Sequence, residues 1–198
     1  MGSTETPFQQ IILPKELLSS FPGSWFVVGG WAIDLFLGFQ SRDHKDLEIG
    51  VYRSNQIDLK SFLQSWKFVK VVQGVSESWT DGEFLSSPVH EIHAQSESEP
   101  QTELEILLQE ETDMKWVYRR NASIRADKRS IVLSSAAGIP YLSPEIVLLY
   151  KAKQQRGKDE ADFALVRDRL GGEQRLWLKA AIETCHPGHS WLAQLYSK

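Results

Sequence analysis

A single cysteine, Cys185, stands among the 198 residues. No disulfide can therefore join two points of this chain, and a zinc site built on thiolates is excluded. A reducing, cytoplasmic compartment is the expectation. The chain also lacks a basic excess: 22 Lys and Arg face 26 Asp and Glu, for a net charge of -4. That argues weakly against a nucleic-acid coat and suits a cationic small molecule or a metal-bound nucleotide. No apolar run approaches the roughly 18–20 residues that span a bilayer, and the first residues lack the charged-then-apolar order of a signal peptide. MGSTET fits the loose myristoylation pattern with Gly2 and Thr6, but no polybasic patch follows to supply a second membrane signal. The match reads as coincidence. Repeats and low-complexity blocks are missing too. What remains is 41% hydrophobic and 24% charged, the composition of one globular domain, or of a modest domain with a helical appendage.

The pattern along the chain divides near Pro140. Before it, Pro14–Leu18 opens a short helix, and Trp25–Val28 is a short apolar run of buried-strand type. Gly29-Gly30 leads into a helix ending at Gly38. Alternation predicts a strand over 47–51, and helical spacing occupies 57–66. Further strands are expected at 68–72, within 76–93 around the turn dipeptide Asp81-Gly82, and at 103–108, 116–120 and 130–133. After Pro140, Ser143-Pro144-Glu145 reads as an N-cap, a first-turn proline and a first-turn acid. Helices are expected over 144–156, 158–170 and 173–184, with a last turn from Ser190. The reading is an α/β (α+β) fold: a mixed sheet flanked by helices over 1–140 and a helical region over 141–198.

Two features carry chemistry. Residues two apart on a strand share a face, so Asp46 and Glu48 project together, their Cα atoms roughly 6–7 Å apart. Like charges so close raise each other's pKa, and a divalent cation removes that penalty. For an isolated pair of this kind, a solvated strand face is the commoner explanation by several-fold. Leu104-Glu105-Ile106 repeats the apolar–acid–apolar pattern, so Glu105, or Glu103 on the same face, is a candidate third carboxylate. Gly29-Gly30, between strand and helix, leaves backbone N–H groups uncovered at a helix N-terminus, where phosphate is favoured.

These residues resemble the nucleotidyltransferase superfamily that includes polymerase β. Val28-Gly29-Gly30, fifteen intervening residues and Asp46-Leu47-Glu48-Ile49 carry the resemblance. The match is closest to the aminoglycoside and lincosamide nucleotidyltransferases, through Gly29-Gly30-Trp31-Ala32-Ile33-Asp34, Gly38, and Arg42-Asp43-His44-Lys45-Asp46-Leu47-Glu48. The resemblance implies Mg²⁺-dependent transfer of a nucleoside monophosphate from ATP or another NTP to a hydroxyl of a small, antibiotic-like acceptor, with release of pyrophosphate. It implies Asp46, Glu48 and Glu105 as metal ligands, Gly29 and Gly30 against the triphosphate, and Glu105 as metal ligand or general base. Glutamates stand at 48 and 105 where these resistance enzymes usually carry aspartate, which shifts each carboxylate by roughly 1 Å.

Around this nucleus, Arg42 and His44 either orient the acids and meet phosphate or cap the strand entrance. Asp34 has a surface or capping role as its alternative. The stripe Ile146, Leu149, Tyr150 extrapolates to Lys153, a candidate for the triphosphate beside Lys158. His90 and His93 read as a surface pair and His186–His189 as a helix-ending loop, while Trp79 and Trp116 are core residues or acceptor-pocket walls. Two other functions fit the same residues: a toxin-type nucleotidyltransferase acting on RNA or protein, and a degenerate member that binds nucleotide or a partner without chemistry. The acceptor, the base preference and the oligomeric state have no signature in the sequence.

Overall fold

Leu104, Ile106 and Leu108 alternate with Glu103, Glu105 and Leu107, and this alternation runs down the middle of a large sheet. The structure is a computed structural model that describes residues 8–196; the Gly2–Thr6 pattern lies outside them. Its strands are β1 (Trp25–Val27), β2 (Glu48–Tyr52), β3 (Trp66–Val72), β4 (Val75–Ser78), β5 (Glu91–Ser96), β6 (Glu103–Thr112), β7 (Lys115–Val117), β8 (Arg125–Asp127), β9 (Val132–Ser134) and β10 (Pro140–Leu142). Its helices are α1 (Gln9–Leu17), α2 (Gly29–Leu37), α3 (Gln56–Phe62), α4 (Lys128–Ile131), α5 (Pro144–Lys151), α6 (Gly157–Val166), α7 (Gly172–Cys185) and α8 (Trp191–Tyr196). The sheet order is β4-β3-β5-β6-β2-β1-β10-β9, with β7 and β8 continuing from the far end of β6. This is the expected mixed sheet: β2 runs parallel to β6 and β1 parallel to β10, while β1 and β2 are antiparallel.

Each face of the sheet has its own core. Ile49, Val51, Ile92, Leu104 and Ile106 pack with Leu18, Leu59 and Leu63 from the α1 and α3 side. On the other face Phe26 and Val28 join Trp31, Leu148, Phe163, Leu178 and Trp191 from α2 and the C-terminal helices. α2 is buried almost all round, as expected of a helix whose sequence is apolar on every side. The apolar cluster on this face draws residues from both sides of position 140, and β10 straddles it.

Several local expectations are corrected by packing. α1 begins at Gln9 and carries Pro14 inside it, because Ile11, Pro14 and Leu18 form its buried stripe. The hairpin turn joins β3 to β4 at Gln73-Gly74, both with positive φ, rather than at Asp81-Gly82, which lies in the loop that follows. The strand expected over 130–133 is divided between α4 and β9. The hydroxyl of Ser143 does not cap α5; it donates to Glu145 beside Gln174. Among the described residues no helix is long and apolar enough to cross a membrane.

Candidate active site

The register between β2 and β6 builds the site. Glu48 stands directly opposite Glu105 in this parallel pair, so their side chains leave the same face of the sheet, the one opposite the Ile49–Ile106 core. Asp46 precedes β2, is exposed, and joins them in lining one cleft of about 540 Å³. Glu103 shares the face of Glu105 but is exposed, accepts a hydrogen bond from Gln95 (2.9 Å), and does not line the cleft.

Gly29 and Gly30 open α2 at the floor of the cleft, but their surface is not bare. Gly29 has φ +63°, and a Cβ on it would lie 1.7 Å from Glu48 Oε2. A Cβ on Gly30 would meet His44 Nδ1 at 2.4 Å and Arg42 Nη2 at 2.5 Å. Gly29 is thus required both for backbone conformation and for the close seating of Glu48, and Gly30 for the close seating of His44 and Arg42. Gly29→Ala is expected to destabilise the fold by about 1–2 kcal/mol through the left-handed strain. Displacing the Glu48 carboxylate should also cost at least roughly 10²-fold in turnover. Thermal melts and initial rates check both, and a variant with normal rates would show that the seat of Glu48 does not matter.

The loop before β2 is tied down from beneath. Asp34, for which a surface or capping role is the competing alternative, is fully buried within α2. It accepts from the Ser41 backbone N–H (3.1 Å), the Ser41 hydroxyl (2.5 Å) and His44 Nε2 (2.5 Å). His44 also packs on Trp31, with ring centroids 4.4 Å apart. The His-x-Asp-x-Glu segment is therefore held in place through His44, while Arg42 reaches across to the C-terminal helices.

That reach meets a buried ionic chain absent from the sequence reading. Asp159 and Asp162 lie one turn apart on α6, both essentially inaccessible. Lys151, the last residue of α5, bonds Asp162 at 2.8 Å and Asp159 at 3.3 Å. Arg42 pairs with Asp162 (3.3 Å) and Arg156 with Asp159 (2.8 Å). Burial pushes the Asp159 carboxyl up, but the Arg156 and Lys151 bonds outweigh it and hold it below the usual range. Lys151, Arg156, Lys158 and Gln154 line the cleft; Lys153 does not. The extrapolated stripe fails because α5 ends at Lys151 and Gln155 turns the chain with φ 48°. Lys153 is left exposed. Asp159-x-x-Asp162 at helical spacing, looking for a buried cation, was the signal available for Lys151.

The carboxylates feel this surrounding. Burial raises the Glu48 pKa, and Lys151 opposes the rise while Asp46 adds to it. Burial, then the charge of Glu48, pushes Glu105 up to about 7. In the metal-free protein the native state thus holds the Glu105 proton more tightly than the unfolded chain. That stabilisation is complete below about pH 4.5 and is lost as pH rises through about 7. Solvent around a partly exposed carboxyl limits the effect to about 1–2 kcal/mol. In EDTA, Glu105→Gln is expected to melt higher than the parent at pH 8 and to show a flatter dependence between pH 5 and 8. Parallel pH curves would contradict the assignment.

Among the described residues no three His, Cys, Asp or Glu side chains converge tightly enough to hold a metal unaided. Mg²⁺ does not need such a cage, since it is commonly held by one or two carboxylates with water and substrate phosphates completing the shell. Asp46 and Glu48, all-oxygen donors at the cleft surface with Glu105 opposite, fit that mode. The rest of the cleft wall contains His90, Glu91, Leu107, Gln109, Arg119, Arg120 and Tyr150. Trp79 and Trp116 do not belong to it: both are buried, and Trp116 Nε1 donates to Gln109 Oε1 at 3.0 Å.

The family model described as aminoglycoside-2''-adenylyltransferase matches residues 11–166. The crystal structure of ANT(2'')-Ia in complex with adenylyl-2''-tobramycin superposes with a TM-score of 0.59 at 14% identity, covering 89% of this chain and 98% of that one. The lincomycin-bound lincosamide adenylyltransferase LnuA gives 0.56 at 16% identity, over 82% and 97% of the two chains. An antigenic nucleotidyltransferase-like protein from Paracoccidioides brasiliensis gives 0.51 at 16%, over 94% and 90%. These structural likenesses establish the shared fold. No curated protein matches the sequence significantly.

Proposed function

This chain belongs to the aminoglycoside-2''-adenylyltransferase family, and we propose that its cleft transfers a nucleoside monophosphate, AMP in the first instance, from an NTP to a hydroxyl of a small acceptor. The observation that carries the reading is the β2–β6 register, which sets Glu48 against Glu105 beside the Gly29-Gly30 helix start and across from Lys151. Acids on the sheet face bases on the helices, the division that a metal-bound triphosphate requires.

Asp46 and Glu48 would hold Mg²⁺, with Glu105 able to join them. When bound, the ion would supply positive charge against the phosphate oxygens as negative charge develops there. The chain's own residues do the rest. Lys151, fixed by two buried aspartates, presents an ammonium with little freedom left to lose, so its contribution is pre-organised. Lys158 and Arg156 extend the positive wall at the exposed rim. His44 and Arg42 hold the acidic segment over the glycines and offer donors to phosphate. Glu105, with its raised proton affinity, is matched to accept a hydroxyl proton near neutral pH.

Incubating the chain with Mg²⁺, α-labelled NTPs and hydroxyl acceptors tests the reading: pyrophosphate should appear together with labelled nucleotide on an acceptor. Label that never leaves the nucleotide pool, with every NTP, would contradict it. Growth arrest on expression with label transferred to RNA or protein would favour the toxin-type alternative.

A further inference from the structure

The sheet order lays the cleft out along one line. Gly29-Gly30 follow β1, Glu48 sits on the neighbouring β2, and Glu105 sits on β6 beyond it. Glu91, with His90 just before it, begins β5 further still. In-line displacement places the attacking and leaving oxygens on opposite sides of the reacting phosphorus. With pyrophosphate at the Gly29, Lys151 and Lys158 end, the acceptor hydroxyl arrives from the β5 side, past Glu105.

That side of the cleft carries two guanidiniums, set beyond the carboxylates of Glu105 and Glu91. Arg119 and Arg120 follow β7 and flank Tyr150: their guanidinium carbons lie 5.8 and 5.2 Å from its ring centroid. Arg120 donates to the Tyr150 carbonyl (2.9 Å) and the Tyr118 hydroxyl (3.3 Å), which fixes Arg120 in place beside Arg119. Two of the nearby carboxylates are already engaged. Glu91 accepts from His93 at 2.9 Å, and Glu110 is held by Arg53. Burial and the adjoining Arg120 depress the proton affinity of Arg119, and the more distant Glu110 only partly offsets them. A polyamine bound here would set ammonium groups against two guanidiniums, which selects against it.

We propose that the acceptor of this chain is a small hydroxyl compound carrying an anionic group, a carboxylate or a phosphate ester, which Arg119 and Arg120 hold while the hydroxyl meets Glu105. This rests on the nucleotidyl-transfer reading above and names its substrate class. The acceptor oxygen forms a bond to the α-phosphorus, and the bond from that phosphorus to the β-bridging oxygen breaks. Pyrophosphate leaves with the bridging oxygen, and the hydroxyl proton passes to Glu105 and then to solvent. Arginine is the fitting residue because its planar fork matches both carboxylate and phosphate.

The test uses the full chain with Mg²⁺, α-labelled ATP and four probes: gluconate, glucose 6-phosphate, neutral glucose and the polycation tobramycin. At least one anionic probe should exceed both glucose and tobramycin in kcat/KM by about tenfold or more. Whether gluconate or glucose 6-phosphate leads distinguishes carboxylate from phosphate ester. Arg119→Glu should collapse the ratio of anionic to neutral probe by about tenfold or more, whereas Arg119→Lys should retain the preference. Preferred transfer to tobramycin, or transfer only to added RNA, would overturn the anionic small-molecule acceptor and leave nucleotidyl transfer standing. If no label moves to any acceptor, the transfer reading itself falls, and calorimetry with glucose 6-phosphate and gluconate on the chain loaded with a non-hydrolysable ATP analogue then decides the anion site. Saturable binding lost in Arg119→Glu supports it, and no saturable binding overturns it.

Discussion

Asp46→Asn is expected to lower nucleotidyl transfer by at least about 10³-fold while leaving the melting temperature within about a degree or two of the parent. The two halves of this result follow from one placement. Asp46 is exposed just ahead of β2 and lines the cleft, so its charge is spared for function and little of the fold depends on it. Asparagine keeps the shape and one carbonyl oxygen but removes the negative charge that a divalent cation needs. Transition-state charge at the α-phosphate and on the departing pyrophosphate is then poorly compensated, a loss read in kcat more than in nucleotide affinity. Turnover close to the parent's would remove Asp46 from the site. A melt lowered by many degrees would instead give it a structural role.

Lys151→Met has the opposite profile, with stability and turnover falling together. The ammonium lies between Asp162 and Asp159, whose side chains are 1% and 0% exposed. Removing it leaves Arg42 and Arg156 to neutralise two buried carboxylates from the rim. Breaking a buried ionic cluster by deleting one partner typically costs about 3–5 kcal/mol, or ~10 °C for a domain of this size. Turnover should fall by at least roughly 10²-fold, because Lys151 is the best-ordered cation facing the carboxylates. Adding Asp162→Asn to Lys151→Met should restore part of the stability, since the uncompensated charge is removed, but none of the turnover. Equal melts for Lys151→Met and the parent would show that the ionic chain is not what holds α5 against α6.

The sequence makes the local part of the site legible and hides the part that depends on register and turns. Gly29-Gly30 and Glu48 are readable because they sit in one strand–helix–strand unit, where periodicity decides which way side chains point. Asp46, just ahead of β2, is marked only by its two-residue spacing from Glu48. Glu103 and Glu105 share a periodicity, so only the pairing of β6 with β2 separates them. The buried role of Asp34 was masked by its position in an apolar helix, where a polar residue also fits an exposed face. Lys151 was missed by two residues. A helical stripe continues on paper for as long as residues suit it, whereas the chain leaves α5 at Lys151. Arg119 and Arg120 had no signal at all, since a loop after a three-residue strand takes its place from tertiary contacts. The glutamates at 48 and 105 also look different in three dimensions. The longer Glu48 side chain reaches back over Gly29, so the added methylene is accommodated at the helix start.

Asp46 and Glu48 are proposed to hold the cation of a bound nucleotide beside Gly29. Anomalous scattering from Mn²⁺ in crystals grown with a non-hydrolysable ATP analogue measures this directly. The expected result is a Mn²⁺ peak about 2 Å from carboxylate oxygens of Asp46 and Glu48, with the triphosphate running from Gly29-Gly30 toward Lys151. A nucleotide seated elsewhere, or Mn²⁺ away from both carboxylates, would contradict it.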